Sequence, residues 1–247
     1  MSALKFLLPH WPAPARVRAF TTTRVGGASQ GPYTSLNLGL HVGDDAGAVN
    51  ENRARVQAAA RIPAAPAWLT QVHGTRIVDA AQTANAPEAD GSVAFAPGAA
   101  CAVLTADCLP VFLCDKAGTA VGVVHAGWRG LAAGAIEAGI AKLARAPADI
   151  LAWLGPAIGP NAFEVGPEVR TAFVNKDTLM DGAFAPTGDG RYLADIYALA
   201  RRTLARAGVP YVGGGEYCTV TAPEHFFSYR RDGVCGRMAS LIWLESA

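Results

Sequence analysis

The chain has 247 residues, 51% of them hydrophobic and 17% charged, with a formal net charge of +1. That length suits one large α/β domain spanning 1–247, or two closely packed halves, better than independent modules, and the apolar content fills a large core. No block of like charge occurs, which excludes the basic stripe of a nucleic-acid or anionic-membrane binder and makes any phosphate handling local. The N-terminal text MSALKFLLPHWP has too short an apolar run for a secretory signal, being stopped by Pro9 and Pro12. No stretch approaches the roughly 18 apolar residues of a spanning helix. The five cysteines (Cys101, Cys108, Cys114, Cys218 and Cys235) are odd in number and mostly lie in strand-like text, as expected of a cytoplasmic protein without a disulfide framework.

In chain order, a strand is predicted over Val17 to Thr23, then the loop GGASQGPY and the segment SLNLGLHVG. Asp44 or Asp45 can cap a helix running to about Arg61. Short strands are predicted over Ala67 to His73 and Arg76 to Ala80. The run CAVLTADCLPVFLC, Cys101 to Cys114, reads as a buried strand, a turn carrying Asp107 and Cys108, and a second buried strand. Thr119 to His125 is a further strand, followed by the turn HAGWRG and a small-residue helix over Leu131 to Arg145. Beyond the strand Ile150 to Leu154, helices are predicted over Pro167 to Val174 and Asp195 to Arg206. Strands are predicted over Gly215 to Val220, Phe226 to Arg230 and Ala239 to Leu244. Strands and helices mix without strict βαβ alternation, so the expected fold is α/β or α+β with mixed sheets.

Three segments carry the chemistry: QVHG (71–74), ADC (106–108) and VVHAGWRG (123–130). Each puts a His or a Cys where a strand meets a turn. Two imidazoles and one thiolate, from His73, His125 and Cys108, make a three-ligand set for Zn²⁺ with the fourth position left for water or substrate. Against this stands the ordinary role of such residues, a hydrogen-bonded core histidine and a small buried thiol. The Gly-rich turn after His125 and the helix start behind it offer an anion site beside Arg129, or simply a tight turn whose arginine pairs elsewhere. Arg53, Arg230, Arg231 and Arg237 are further candidates for orienting an anionic or ribose-bearing substrate, and the aromatics of FFSYRRDG for stacking on a base.

Taken together, SQGPYTSLNLGLHVGDD, VNENR, QVHG, ADG (89–91), TADCLPVFL, HAGWRG, LGPAIGP with FEVG, and FFSYRRDG with GRMASLIW resemble the successive motifs of the laccase-domain family. Its members are also called multicopper polyphenol oxidases or purine nucleoside phosphorylases. The resemblance runs from about Thr21 to Leu244. It implies a four-layer α/β/β/α sandwich related to cysteine-hydrolase-like folds, and a zinc site that falls on His73, Cys108 and His125. Cys235, in GVCGR, departs from the Thr or other small residue more usual in the family and touches no implied ligand.

The resemblance implies phosphorolysis of adenosine, inosine, guanosine and methylthioadenosine, and deamination of adenosine. The expected partners are a purine nucleoside and phosphate, acting on a monomer or weak homo-oligomer. Gln71, Arg53, Arg129 and Arg230 are the expected substrate and phosphate contacts, with Asp107 a candidate proton shuttle. The usual H-x-E…P-C-x-x-C deaminase signature is missing. A multicopper oxidase needs many imidazoles, often as H-x-H pairs; with five histidines and no H-x-H, copper is an alternative occupant rather than the basis of function. The rival reading is a Cys–His hydrolase, with Cys108 as nucleophile and His125 or His73 as base, editing a cell-wall peptide precursor. A third is a binding module with a structural zinc.

Overall fold

The computed structural model describes residues 3–83 and 85–246, so Met1, Ser2, Ala84 and Ala247 lie outside the described residues. The strands are β1 (Phe6–Leu7), β2 (Val17–Thr22), β3 (Ile77–Asp79), β4 (Gly91–Ala94), β5 (Ala100–Thr105), β6 (Leu109–Asp115), β7 (Val121–Ala126), β8 (Ile150–Leu154), β9 (Glu164–Val165), β10 (Phe184–Gly188), β11 (Arg191–Ala194), β12 (Tyr211–Gly214) and β13 (Met238–Leu244). The helices are α1 (Ala46–Ala59), α2 (Trp128–Ala133), α3 (Ala135–Leu143), α4 (Pro167–Val174), α5 (Ile196–Arg206) and α6 (Tyr229–Asp232).

Two main sheets form. A six-stranded mixed sheet has the order β12-β8-β6-β7-β4-β3, and a four-stranded antiparallel sheet the order β1-β2-β13-β5. A small antiparallel sheet, β10-β11-β9, completes the topology.

The period of two along a strand explains the long apolar runs. On β6, Val111 and Leu113 enter one apolar cluster while Phe112 and Cys114 enter another. On β5, Cys101 and Val103 share that second cluster with Phe112, and Ala102 and Leu104 turn to a third. The second cluster therefore lies between the two sheets. The first joins the six-stranded sheet to α3 and α5 through Ile136, Ile140, Leu199 and Leu204, and the third joins the four-stranded sheet to α1 through Val56. Strands buried on both faces can be apolar at every position, as these are.

Several predicted elements take another form. The helix expected over 131–145 is two helices, parted at Gly134, whose φ of +107° is open to glycine. Ala67 to His73 makes only the isolated bridges Ala67–Cys101 and Thr70–Glu88. In place of the strand Gly215 to Val220 the chain pairs earlier, as β12, and leaves Cys218 in one bridge to Ala157. Phe226 to Arg230 is not a strand either: Phe226 and Phe227 are buried, and the side chain of Ser228 then caps α6 by accepting from the Arg231 N–H.

Candidate metal centre

The chain crosses from one sheet to the other in the turn between β5 and β6, and Cys108 lies in that crossing. His125 is on β7 in the same alternation as Val121 and Val123, which face the inter-sheet core, so it closes the end of that core at 3% exposure. His73 comes from the loop before β3, with φ of +60°. The ligating atoms of the three residues lie within 4.8 Å of one another. The Cys108 Sγ to His73 Nε2 distance is 3.8 Å, close to the roughly 3.6 Å that tetrahedral Zn–S and Zn–N bonds impose. These residues could therefore hold a metal ion.

Asp90, immediately before β4 and fully buried, organises the cluster. Its Oδ1 accepts from His125 Nδ1 at 2.8 Å, which leaves Nε2 as the free ring nitrogen. The same carboxylate accepts from the backbone N–H groups of Val72, His73 and Gly74 at 3.3, 2.9 and 2.6 Å. One buried acid thus sets both the tautomer of one imidazole and the loop carrying the other, the arrangement typical of metal-binding histidines. Burial opposes the charge on Asp90, yet the hydrogen bonds from His125 and Gly74 hold its carboxyl below the usual range. Burial alone would raise the Cys108 thiol; the adjoining His125 and His73 imidazoles reverse this and bring it down. Burial likewise disfavours charge on His125, but Cys108 and Asp90 carry its pKa upward. Without a metal, the pair therefore favours thiolate and imidazolium.

Gly127 makes this approach feasible. A Cβ there would come within 2.9 Å of Cys108 Sγ and 3.0 Å of His73 Cδ2. The first glycine of HAGWRG thus packs directly against the candidate ligands.

The cluster opens on a two-lobed cleft. The lobe richer in polar side chains, of about 420 Å³ and called the polar lobe below, is lined by His41, Gln71, Thr105 and Arg237 together with Leu104 and Ala106 beside the three candidate ligands. A narrower lobe of about 150 Å³ is lined mainly by Trp128, Ile158, Phe163, Ile196 and Tyr229. Ala106, Cys108 and Tyr229 line both.

The other predicted site residues fall unevenly around it. Asp107, with φ of +84°, lines the apolar lobe, but its carboxylate accepts from the Thr219 hydroxyl and, at 2.7 Å, from the Arg230 N–H. Those bonds tie the cysteine turn to α6. Gln71 lines the polar lobe, and its amide both donates to and accepts from the backbone of Leu104, at 2.9 and 2.7 Å. Arg230 lines the apolar lobe and donates to the carbonyls of Ala162 and Glu164. Arg53 and Arg129 are not among the residues lining either lobe. Arg53 donates to the Leu38 carbonyl and lies 4.0 Å over the Trp68 ring, while Arg129 is exposed over Trp128. The helix behind the HAGWRG turn, α2, has six residues and no side-chain cap. Sequence reasoning passed over Asp90, Thr105 and His41 as site residues; ADG and LGLHVG, the motifs holding Asp90 and His41, were the available signal.

The profile of a family described as multi-copper polyphenol oxidoreductase laccase matches residues 18–245. An Escherichia coli protein named purine nucleoside phosphorylase YfiH is 54% identical over 241 residues, covering 97% of this chain and 99% of that protein. The crystal structure of a Neisseria meningitidis protein superposes with a TM-score of 0.95 at 53% identity, covering 98% of this chain and 99% of that one. YlmD from Geobacillus stearothermophilus superposes with a TM-score of 0.90 at 33% identity, covering 100% and 98%. A profile matched along nearly its whole length, and relatives more than half identical to it, show that the chain belongs to the multi-copper polyphenol oxidoreductase laccase family.

Proposed function

We propose that the chain is a zinc-dependent purine nucleoside phosphorylase, acting on adenosine, inosine, guanosine and methylthioadenosine, with adenosine deamination as a second activity. The observation that carries this reading is the opening of the His73–Cys108–His125 cluster onto a cleft with one polar and one apolar lobe. A nucleoside undergoing phosphorolysis is divided the same way, with a flat apolar base on one side and a ribose with an attacking phosphate on the other. The relative named purine nucleoside phosphorylase supports the same chemistry.

Zn²⁺ held by His73, Cys108 and His125 would supply Lewis acidity and lower the pKa of water, as deamination at the purine 6-position requires. Asp90 keeps His125 in the ligating tautomer and orients the His73 loop. Tyr229 and Phe163 give the base aromatic faces, and Trp128 with Ile196 excludes water around it. In the phosphorolytic step, an oxygen of hydrogen phosphate bonds to the anomeric carbon as the glycosidic bond breaks. The bonding pair leaves with the purine, which takes up the phosphate proton.

The test is chromatography of products from adenosine and inosine, with and without phosphate, using zinc-loaded protein and a Cys108→Ala control. Phosphate-dependent release of adenine and hypoxanthine, lost in the control, is expected; inosine formed from adenosine without phosphate marks the deaminase. Equal inactivity of wild type and control overturns the reading.

The juxtaposition of Cys108 with two imidazoles, with the proton favouring imidazole, also supports the Cys–His hydrolase. That reading predicts amide cleavage that survives a strong chelator and is abolished by thiol alkylation. For polyphenol oxidation, the described residues hold one such three-residue cluster, and the whole chain has five histidines, against the several copper ions such an oxidase uses.

A further inference from the structure

The polar lobe holds one permanent cation, Arg237, with no acid beside it. No carboxylate lines it. Arg237 and His41 meet across Gly39, where a Cβ would stand 2.9 Å from Arg237 Cγ and 3.4 Å from His41 Cε1. Arg53 stands nearby. Burial chiefly, and then Arg237 and Arg53, lower the pKa of His41, so all three groups share one region. Burial alone depresses the Arg53 guanidinium to about 10, with no acid acting on it. Among the described residues, none of the three takes part in an ion pair.

The donors are also held ready. Arg237 Nη1 donates to the carbonyls of Cys235 and Gly236 at 2.9 and 3.0 Å, which fixes the guanidinium plane. Its Nε and Nη2 make no hydrogen bond among the described residues. Thr105, paired across the sheet with Met238 next to Arg237, is 1% exposed and its buried hydroxyl has no partner among the described residues. A buried hydroxyl without a partner is unfavourable unless a ligand completes it. The guanidinium groups of Arg237 and Arg53, both close enough to act on the His41 imidazole, also lack a counter-ion, and like charges repel. A tetrahedral oxyanion relieves both, offering two oxygens to the guanidinium fork and others to the imidazole and the hydroxyl.

We propose that Arg237, His41 and Thr105 form a phosphate seat in the polar lobe, backed by the charge of Arg53. Its role in turnover rests on the phosphorylase reading; its affinity for phosphate does not. A free phosphate and the 5′-phosphate of a nucleotide share this chemistry, and the experiment separates them.

Zinc-loaded wild type, Arg237→Met, Arg237→Lys, Thr105→Val and the surface control Arg129→Ala are titrated calorimetrically with inorganic phosphate and, separately, with inosine monophosphate. Zinc content is measured for each. Inorganic phosphate is expected to bind Arg237→Met roughly 10- to 100-fold more weakly than wild type, the loss typical of a charge-assisted hydrogen bond. Arg237→Lys recovers part of this, and Arg129→Ala matches wild type. In turnover, KM for phosphate rises by a similar factor while KM for inosine stays within about twofold.

Equal phosphate binding by fully zinc-loaded wild type and Arg237→Met overturns the seat. So does phosphate-dependent base release whose phosphate KM ignores Arg237→Met, and in that case the phosphorylase reading survives. Arg237-dependent phosphate binding without base release supports the seat and removes the phosphorylase. Arg237-dependent binding of the nucleotide alone supports the seat and assigns it to a nucleotide phosphate.

Discussion

Asp90 Oδ1 receives both the His125 Nδ1–H, at 2.8 Å, and the backbone N–H of His73, at 2.9 Å, so one carboxylate oxygen positions two of the three candidate ligands. Replacing it with Asn keeps the shape and loses the charge. Asp90→Asn is expected to weaken metal binding by about 10- to 100-fold, the usual effect of removing such an outer partner. Competition with a chromogenic chelator reads this directly, and affinity equal to wild type would show that Asp90 does not orient the ligands.

Gly127→Ala places a methyl group 2.9 Å from Cys108 Sγ and 3.0 Å from His73 Cδ2. The expected result is loss of metal and of turnover by at least about tenfold, since a misplacement of about 1 Å can cost far more than that. Gly182→Ala, where nothing lies within 4 Å of the added carbon, is the matched control. Metal analysis and steady-state rates on both variants decide the matter.

The metal-free protein should show an unusually reactive thiol. A depressed thiol pKa means that thiolate persists as the pH falls, so Cys108 alkylation should continue at full rate below the ordinary thiol range and decline only near pH 6. His125, with its pKa raised to about 9, keeps its proton over the same interval. Cys101 and Cys114 are pushed up to about 12 by burial and stay silent, whereas Cys218 is lowered and is replaced by Ser in the test protein. Mass-spectrometric alkylation rates between pH 5 and 9, the range bracketing these two pKa values, supply the profile. A half-maximal rate near pH 9 would contradict the thiolate–imidazolium pair, and bound metal should protect the thiol.

Arg129→Ala tests the anion site suggested by HAGWRG. The guanidinium is exposed, stacks on Trp128 and lines neither lobe. Its removal is expected to leave kcat/KM within about twofold and stability within about 0.5 kcal/mol. A tenfold rise in phosphate KM would restore the arginine to the site.

The strands around the cluster were legible because both faces of β5, β6 and β7 are buried, which leaves an apolar signature without interruption. The segment over Ala67 to His73 misled for a physical reason. Gln71 presents its side-chain amide to Leu104 where a paired strand would present its backbone, so β-like text needs no ladder there. Phe226 and Phe227 look like strand residues because they are buried, yet the chain turns at Ser228. The small sheet β10-β11-β9 was silent, since β10 is largely exposed and contains Pro186 and Gly188. Within the site, His and Cys at strand ends stand out in a sequence, whereas an arginine does not declare what it faces. Arg53, Arg129, Arg230 and Arg237 read alike in the text; only folding shows that Arg237 lines the polar lobe and Arg129 the surface. Asp90 is one acid among many until His125 is brought against it.

The crossing of the chain between sheets at Cys108 gives the cluster a mechanical meaning. His125 rides on the six-stranded sheet, the His73 loop is tied to that sheet through Asp90 and to the edge of the four-stranded sheet through Gln71 and Leu104, and Cys108 belongs to the link between the sheets. An ion gripped by all three would act as a rivet through the open end of the inter-sheet core. Its affinity then reports how far the two sheets have parted, and cavity-forming substitutions between them, at Phe112 or Ile242, should loosen the metal from a distance as surely as they soften the fold.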